Sequence, residues 1–205
     1  MNDAAAAEGT RRGRPRSERA RTAILDAAAD LLVAHGLAAV SMDAVAERAG
    51  VSKATIYRWW PAKETLALDA LFHDWSPSDD GPVKDTGSLR GDLLALMRPW
   101  VLLITARPYA GVVAALVAKA RSDPAFAQVY VDRFVHPRRE RAVPIFERAL
   151  TRGELRADVS VDVALDLLYG ALYHRLLHGH APLNDRFLRD VVDLLVNGLA
   201  APGRA

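Results

Sequence analysis

Six side chains between Ser52 and Arg58 carry groups suited to contact with a nucleic acid. Ser52 and Thr55 offer hydroxyls, Lys53 an ammonium, Tyr57 a phenol, Arg58 a guanidinium and Ala54 a small methyl. Hydroxyls and cations hydrogen-bond phosphate oxygens, and arginine can bridge O6 and N7 of guanine. Alanine leaves room for close approach or touches a thymine methyl. At about 100° per residue, a helix over this segment turns Ile56 and Trp60 one way, flanked by Ser52 and Lys53. Ala54, Thr55, Tyr57 and Arg58 then face the opposite way. A solvated surface helix has the same two faces, so the surrounding elements must decide between the readings.

A second concentration of charge lies near the N-terminus. Arg11, Arg12, Arg14, Arg16, Arg19 and Arg21 are opposed there by Glu18 alone, a larger local excess than the net +2 of the whole chain. A local basic arm points to a nucleic-acid partner more strongly than bulk charge does. Residues 12–16 read R-G-R-P-R, which resembles the core of an AT-hook. The resemblance implies an extended backbone in a narrow A·T minor groove, with Arg12, Arg14 and Arg16 drawn in by its negative potential. The same residues also read as a basic tail that adds only salt-sensitive affinity.

The elements that must position these groups follow from spacing and turn chemistry. Residues 1–16 are small, polar or basic and read as a disordered arm. Beyond them Ile24, Leu25, Ala28, Leu31 and Leu32 recur at three- and four-residue spacing, which predicts a helix from Ser17 closed by His35 and Gly36. Ser41 is placed to cap a short helix over 41–49, with Met42, Val45, Ala46 and Ala49 on one face. Gly50, Val51 and Ser52 make a tight turn, Ser52 caps a helix over 53–60, and Pro61 stops it. Residues 41–60 therefore form a helix-turn-helix pattern, whose second helix lies in the DNA major groove. A helix over 62–75 completes a domain spanning 17–75. Residues 76–87, rich in Ser, Pro, Asp and Gly, read as a linker. From 88 to 205 the chain again reads as helices, over 88–105, 109–121, 124–134, 138–152, 160–178 and 184–199. With no strand-like alternation between hairpin turns, the expected fold is all-α, a helix-turn-helix domain followed by a larger helical domain.

Composition narrows the function. The chain has 205 residues, 51% apolar and 25% charged, with no cysteine, which removes disulfides, thiolate zinc sites and a cysteine nucleophile. It contains no G-x-S-x-G, H-E-x-x-H, phosphate-binding glycine loop or dinucleotide fingerprint, so no catalytic residue and no cofactor are expected. His174, His178 and His180 could share a helix face, but without an acidic residue in the cluster they read as a helix end rather than a metal site. No apolar run approaches the ~20 residues of a membrane span, and residues 1–9 do not read as a secretory signal. A cytoplasmic protein without a membrane partner is expected.

The stretch S-M-D-A-V-A-E-R-A-G-V-S-K-A-T-I-Y-R-W-W-P-A-K-E-T-L, residues 41–66, resembles the DNA-binding domain of the TetR family of bacterial transcriptional regulators. T-A-I-L-D-A-A over 22–28, Gly36 and Val40 fit the same domain, and the match covers about 17–75. The resemblance implies that Tyr57 hydrogen-bonds a DNA phosphate and that Lys63, at the start of the fourth helix, contacts the backbone, where a helix N-terminus also favours an anion. It places Ser41 beside phosphate and Ser52, Lys53, Ala54, Thr55 and Arg58 among base or phosphate contacts, with Arg58 the foremost candidate for a base. The family usually has His or Tyr at the position of Trp59 and Phe at that of Trp60. Trp60 keeps the core role, and Trp59 keeps a ring and an N–H donor that could reach a phosphate.

One such domain reads few base pairs, so a palindromic duplex and a homodimer with recognition helices about 34–36 Å apart are expected. The last two helices carry apolar stripes. In TetR-like proteins the corresponding helices form a four-helix bundle across a twofold axis, which points to Leu168, Leu172, Leu176, Val191 and Leu195 as the dimer interface. Gly170 between them would permit close backbone approach. The family also implies a ligand site in the middle helices for a small, largely hydrophobic effector. The candidate lining is Met97, Trp100, Tyr109, Leu116, Phe126, Tyr130, Phe134, Phe146, Tyr169 and Tyr173, although aromatic residues at helical spacing are also ordinary core. The P-R-R-E…R-A-L-T-R-G-E-L-R pattern over 137–156 resembles family members without identifying a ligand. The expected function is a dimeric repressor released from its operator by the effector. The alternative is a DNA-binding regulator or activator without a small-molecule ligand.

Overall fold

The computed structural model describes residues 14–75, 83–106 and 108–199, and among these every regular element is helical. They pack as two units that part between Asp74 and Trp75.

The first unit begins with α1, Arg14–Ala39. It starts three residues before the expected Ser17; Pro15 in its first turn costs no hydrogen bond, because the first amides of a helix have no partner in any case. Arg12 and the side chains of Arg14 and Arg16 lie outside the described residues. Ile24, Leu25, Ala28 and Leu32 form the buried stripe of α1. Gly36, at φ 70° and ψ 172°, breaks the helix where the sequence predicts.

Over Ser17–Ala39 the mean hydropathy reaches 1.4, long and apolar enough to resemble a membrane span and a departure from the expectation that no such run exists. Its apolar stripe is instead buried in this unit. Asp26 and Asp30 pair with His73 and Arg48 at 2.9 and 2.7 Å.

Three short elements complete the unit: α2, Met42–Ala49, α3, Lys53–Tyr57, and α4, Lys63–Trp75. Ser41 caps α2 by accepting from the Ala44 amide at 3.2 Å. Gly50 ends α2 in the left-handed region at φ 65°, which an L side chain adopts only with strain, and this sets the turn. Ser52 then caps α3 by accepting from the Thr55 amide at 3.3 Å. The recognition helix is shorter than the predicted 53–60, because Arg58 and Trp59 already turn towards Pro61.

In the second unit α5, Leu89–Ala106, packs against α10, Asp185–Leu199, and against α8, His136–Thr151. Between them in the chain lie α6, Tyr109–Ser122, and α7, Pro124–Tyr130. The remaining helix, α9, Val161–His178, packs against α6, α8 and α10. Asp123 caps α7 by accepting from the amides of Ala125 and Phe126. The break expected between 134 and 138 is absent. α7 and α8 instead join through a π-helical turn, Val131–Val135, in which the His136 amide donates to the Val131 carbonyl. Pro137 has no amide to continue α-helical bonding, and the wider turn gives its ring room.

The burial pattern places most of the expected dimer residues on the inner side of their helices. Leu168 and Leu172 are fully buried within their own protomer, Leu176 and Leu195 nearly so, and Val191 is half-buried. On the same helices Val163, Leu167 and Leu177 of α9 and Leu194 of α10 are exposed, Leu194 to 76%. α9 is apolar around most of its circumference, so spacing alone could not tell its inner side from its outer one.

Candidate nucleic-acid interface and effector cavity

α3 divides sharply into two faces. Ile56 is fully buried and Trp60, just beyond the helix, is 1% exposed, while Ser52, Lys53, Ala54, Tyr57 and Arg58 are exposed and Thr55 half-buried. The Ser52 and Thr55 hydroxyls lie 2.9 Å apart across the first turn. Lys53 reaches back to Asp43 on α2 at 2.7 Å, and this carboxylate raises the lysine's pKa. The Arg58 guanidinium stacks over the Trp59 ring, 4.8 Å from its centroid, and Trp59 meets Trp60 edge-on at 5.6 Å. Trp60 donates its ring N–H to Asp69 at 2.8 Å, which satisfies the polar atom that tryptophan adds at a buried position.

The second unit holds a cavity of about 360 Å³ between the α7–α8 helix and α9. Tyr130, Phe134, Tyr169 and Tyr173 line it with Val135, Arg138, Arg139, Asp166 and Gly170. Arg138 is 7% exposed. Its guanidinium donates to the Tyr173 hydroxyl at 3.1 Å and lies 4.4 Å from the Phe134 ring centroid and 5.0 Å from that of Trp100. Arg139 pairs with Asp166 and Asp162 at 2.6 and 2.8 Å. Desolvation in the wall raises the phenols of Tyr130, Tyr169 and Tyr173, so they remain neutral hydroxyls at neutral pH.

Two family descriptions match the chain: bacterial regulatory proteins of the tetR family over residues 24–70, and the tetracyclin repressor-like C-terminal domain over 83–195. The chain belongs to the TetR family of transcriptional regulators. It is similar to YdeS of Bacillus subtilis, an uncharacterized HTH-type transcriptional regulator, at 38% identity over 94% of this chain and 96% of that one. The DNA-binding transcriptional repressor TetR of Mycobacteroides abscessus is 36% identical, covering 92% and 97%. Among solved structures, the TetR family transcription regulator SCO0332 superposes with a TM-score of 0.75 at 37% identity, covering 89% of this chain and all of that one.

As a TetR-family regulator the protein binds DNA and is not an enzyme. Its helix-turn-helix brings Ser41, Ser52, Lys53, Ala54, Thr55, Tyr57, Arg58 and Trp59 into one short segment, residues 41–59. Lys63 departs from the expectation. Its ammonium turns back onto the carbonyls of Leu37, Ala38 and Val40, at 3.2, 3.3 and 3.2 Å. The break at Gly36 leaves those carbonyls without helical partners, and one ammonium with three donors satisfies all three.

Of the expected effector residues, Tyr130, Phe134, Tyr169 and Tyr173 line the cavity, and Met97 and Trp100 line a small recess beside it. Tyr109, Leu116, Phe126 and Phe146 are buried core and lie outside the lining. Sequence reasoning missed Arg138, Arg139 and Asp166. The pattern from 137 to 156 contained both arginines, but only their spacing against Tyr130 and Phe134 on one continuous helix could have turned Arg138 inward. Gly170, expected at a close helix approach, stands at the cavity wall with open space beyond its Cα. Among the described residues no group of His, Asp or Glu is arranged to hold a metal, and His174, His178 and His180 cluster at the exposed end of α9.

Proposed function

We propose that the protein is a homodimeric repressor that reads a palindromic operator through the outer face of α3 and leaves it when a small effector enters the cavity of the second unit. The observation that carries the DNA half is the burial split of α3: Ile56 holds the helix down while Ala54, Tyr57 and Arg58 remain on the surface. Arg58 reads a base, Tyr57 and Ser41 grip phosphates, and Trp59 holds the guanidinium flat for its partner. The arginines at 12, 14 and 16 add contacts in the flanking minor groove. The protein acts in the cytoplasm, where its operator is.

A second copy of the chain is the partner that best fits Val163, Leu167, Leu177 and Leu194, four exposed aliphatic residues on two helices that pack side by side. The cavity supports the effector reading because its volume and mixed lining suit a small molecule. Repression is carried over from the relative in Mycobacteroides abscessus.

The test is a gel shift on a palindromic fragment from the region upstream of the protein's own gene. Wild type should retard the fragment as a dimer, and Tyr57→Phe and Arg58→Ala should weaken the complex while remaining folded. A wild-type chain that is monomeric and ignores the duplex at low salt refutes the proposal. A complex that no effector in a broad panel releases favours a regulator without a ligand.

A further inference from the structure

We infer that the effector is a planar aromatic acid, its rings stacked among Phe134, Tyr169 and Tyr173 and its anionic group directed at Arg138. This rests on the reading of the cavity as an effector site and adds the ligand's charge and shape. The first support is the cation. Arg138 is a guanidinium at the wall of a cavity, 7% exposed, with its Cζ over the rings of Phe134 and Trp100 at 4.4 and 5.0 Å from their centroids. A guanidinium is a rigid fork that matches a carboxylate in two parallel hydrogen bonds. Its Tyr173 partner is a hydroxyl, which can stay bonded or yield as an anion enters.

The second support is the charge of the lining. Arg138 and Arg139 bring two positive groups and Asp166 one negative, and Asp166 is already paired with Arg139. Arg139 is shared between Asp166 and Asp162, so the positive field in the cavity is centred on Arg138. In a low-dielectric space that field acts strongly on a bound anion and opposes a bound cation. The third support is shape. Phe134 stacks on Tyr130 with centroids 4.9 Å apart, and Trp100 stacks on Tyr173 at 5.6 Å. Ring faces gain most from a flat partner. An engineered cavity of about 150 Å³ holds benzene, so about 360 Å³ accommodates two fused rings and a substituent.

The experiment uses three probes of one shape: 2-naphthoate, 2-naphthamide and 2-naphthylmethylamine, titrated calorimetrically into the full-length protein. Naphthoate should bind about 10- to 100-fold more tightly than the amide, the range of a charge-assisted pair, and the amine should bind least. Arg138→Met should abolish that preference, and Arg138→Lys should keep part of it. Because position 138 is buried, Asp166→Asn is a folding-safe companion on the exposed side. It should strengthen naphthoate several-fold and leave the amide unchanged. Equal binding of the amide or the amine, or a preference that survives in a folded Arg138→Met protein, would overturn the acid while leaving an effector site in place. No heat from any probe, together with no release of DNA by a broad panel, would overturn both.

Discussion

Arg58 and Trp59 act as one unit. The ring beneath the guanidinium limits its rotamers, so under the proposed operator contact less entropy is lost when the arginine meets a base. Arg58→Ala should cost about 1–3 kcal/mol of operator binding and relax preference at a single base position, which a gel shift over a set of substituted operators reads directly. Trp59→Ala should cost less, about 0.5–1 kcal/mol, and leave the base preference intact. Lys63 behaves differently. Because its ammonium closes the end of α1, Lys63→Met should lower the stability of the first unit by about 1–2 kcal/mol, seen in a urea melt. A Lys63→Met protein with unchanged stability and lost DNA binding would restore the phosphate role. Sequence reasoning could not see this use of Lys63, since its partners are backbone carbonyls more than twenty residues away and a carbonyl leaves no residue-type signal.

At the scale of elements, the start of α5 is tied to the end of α8 by a polar knot. Asp92 is fully buried and accepts from the Thr86 amide and hydroxyl, both at 2.7 Å, and from Arg148 and Arg152 at 3.1 and 3.4 Å. Glu154 accepts from the Leu89 amide at 2.6 Å and pairs with Arg152. Burial pushes the Asp92 carboxyl up, but the hydrogen bonds from Thr86 and Arg148 outweigh it and hold the group below its ordinary value. A depressed folded-state pKa stabilises the protein above the unfolded value, near 3.9, and that contribution is lost as pH falls through the lower folded value. Stability should therefore decline as pH drops below about 5, and Asp92→Asn should flatten the decline while costing about 2 kcal/mol at pH 7. Parallel denaturant melts at pH 7 and pH 4 check both effects.

The helices themselves were legible where caps and breakers mark them. Ser41, Gly50, Ser52, Asp123 and Ser160 each stand at the helix end that their side chain or backbone predicts. What escaped was orientation. α9 is apolar on two sides, and only the assembled bundle decides which side is inner. Arg138 lies in a pattern rich in arginine, where nothing local separates a buried cation from a solvated one.

For the whole molecule, the outward residues of α9 and α10 carry the prediction about assembly. Leu194→Glu combined with Leu167→Glu places two charges on the exposed apolar face without touching the core residues Leu168 and Leu195. The doubly substituted protein should keep its helical signal, elute as a monomer with light-scattering detection, and lose at least tenfold in affinity for a palindrome while still binding a half-site weakly. Substituting Leu168 instead should unfold the second unit, because that side chain is internal.

The π-helical turn at Val131–Val135 is in effect one extra residue threaded into a long helix. Because the wider turn absorbs that residue locally, removing a single codon there would close the helix to ordinary α-spacing and leave every side chain beyond it pointing where it points now. The same deletion just past it, in plain α-helix between the bulge and Arg138, would instead turn Arg138 off the cavity wall by about 100°. The bulge is thus the one stretch of this helix between Tyr130 and Arg138 where a residue can be lost while the aim of the cavity wall is kept.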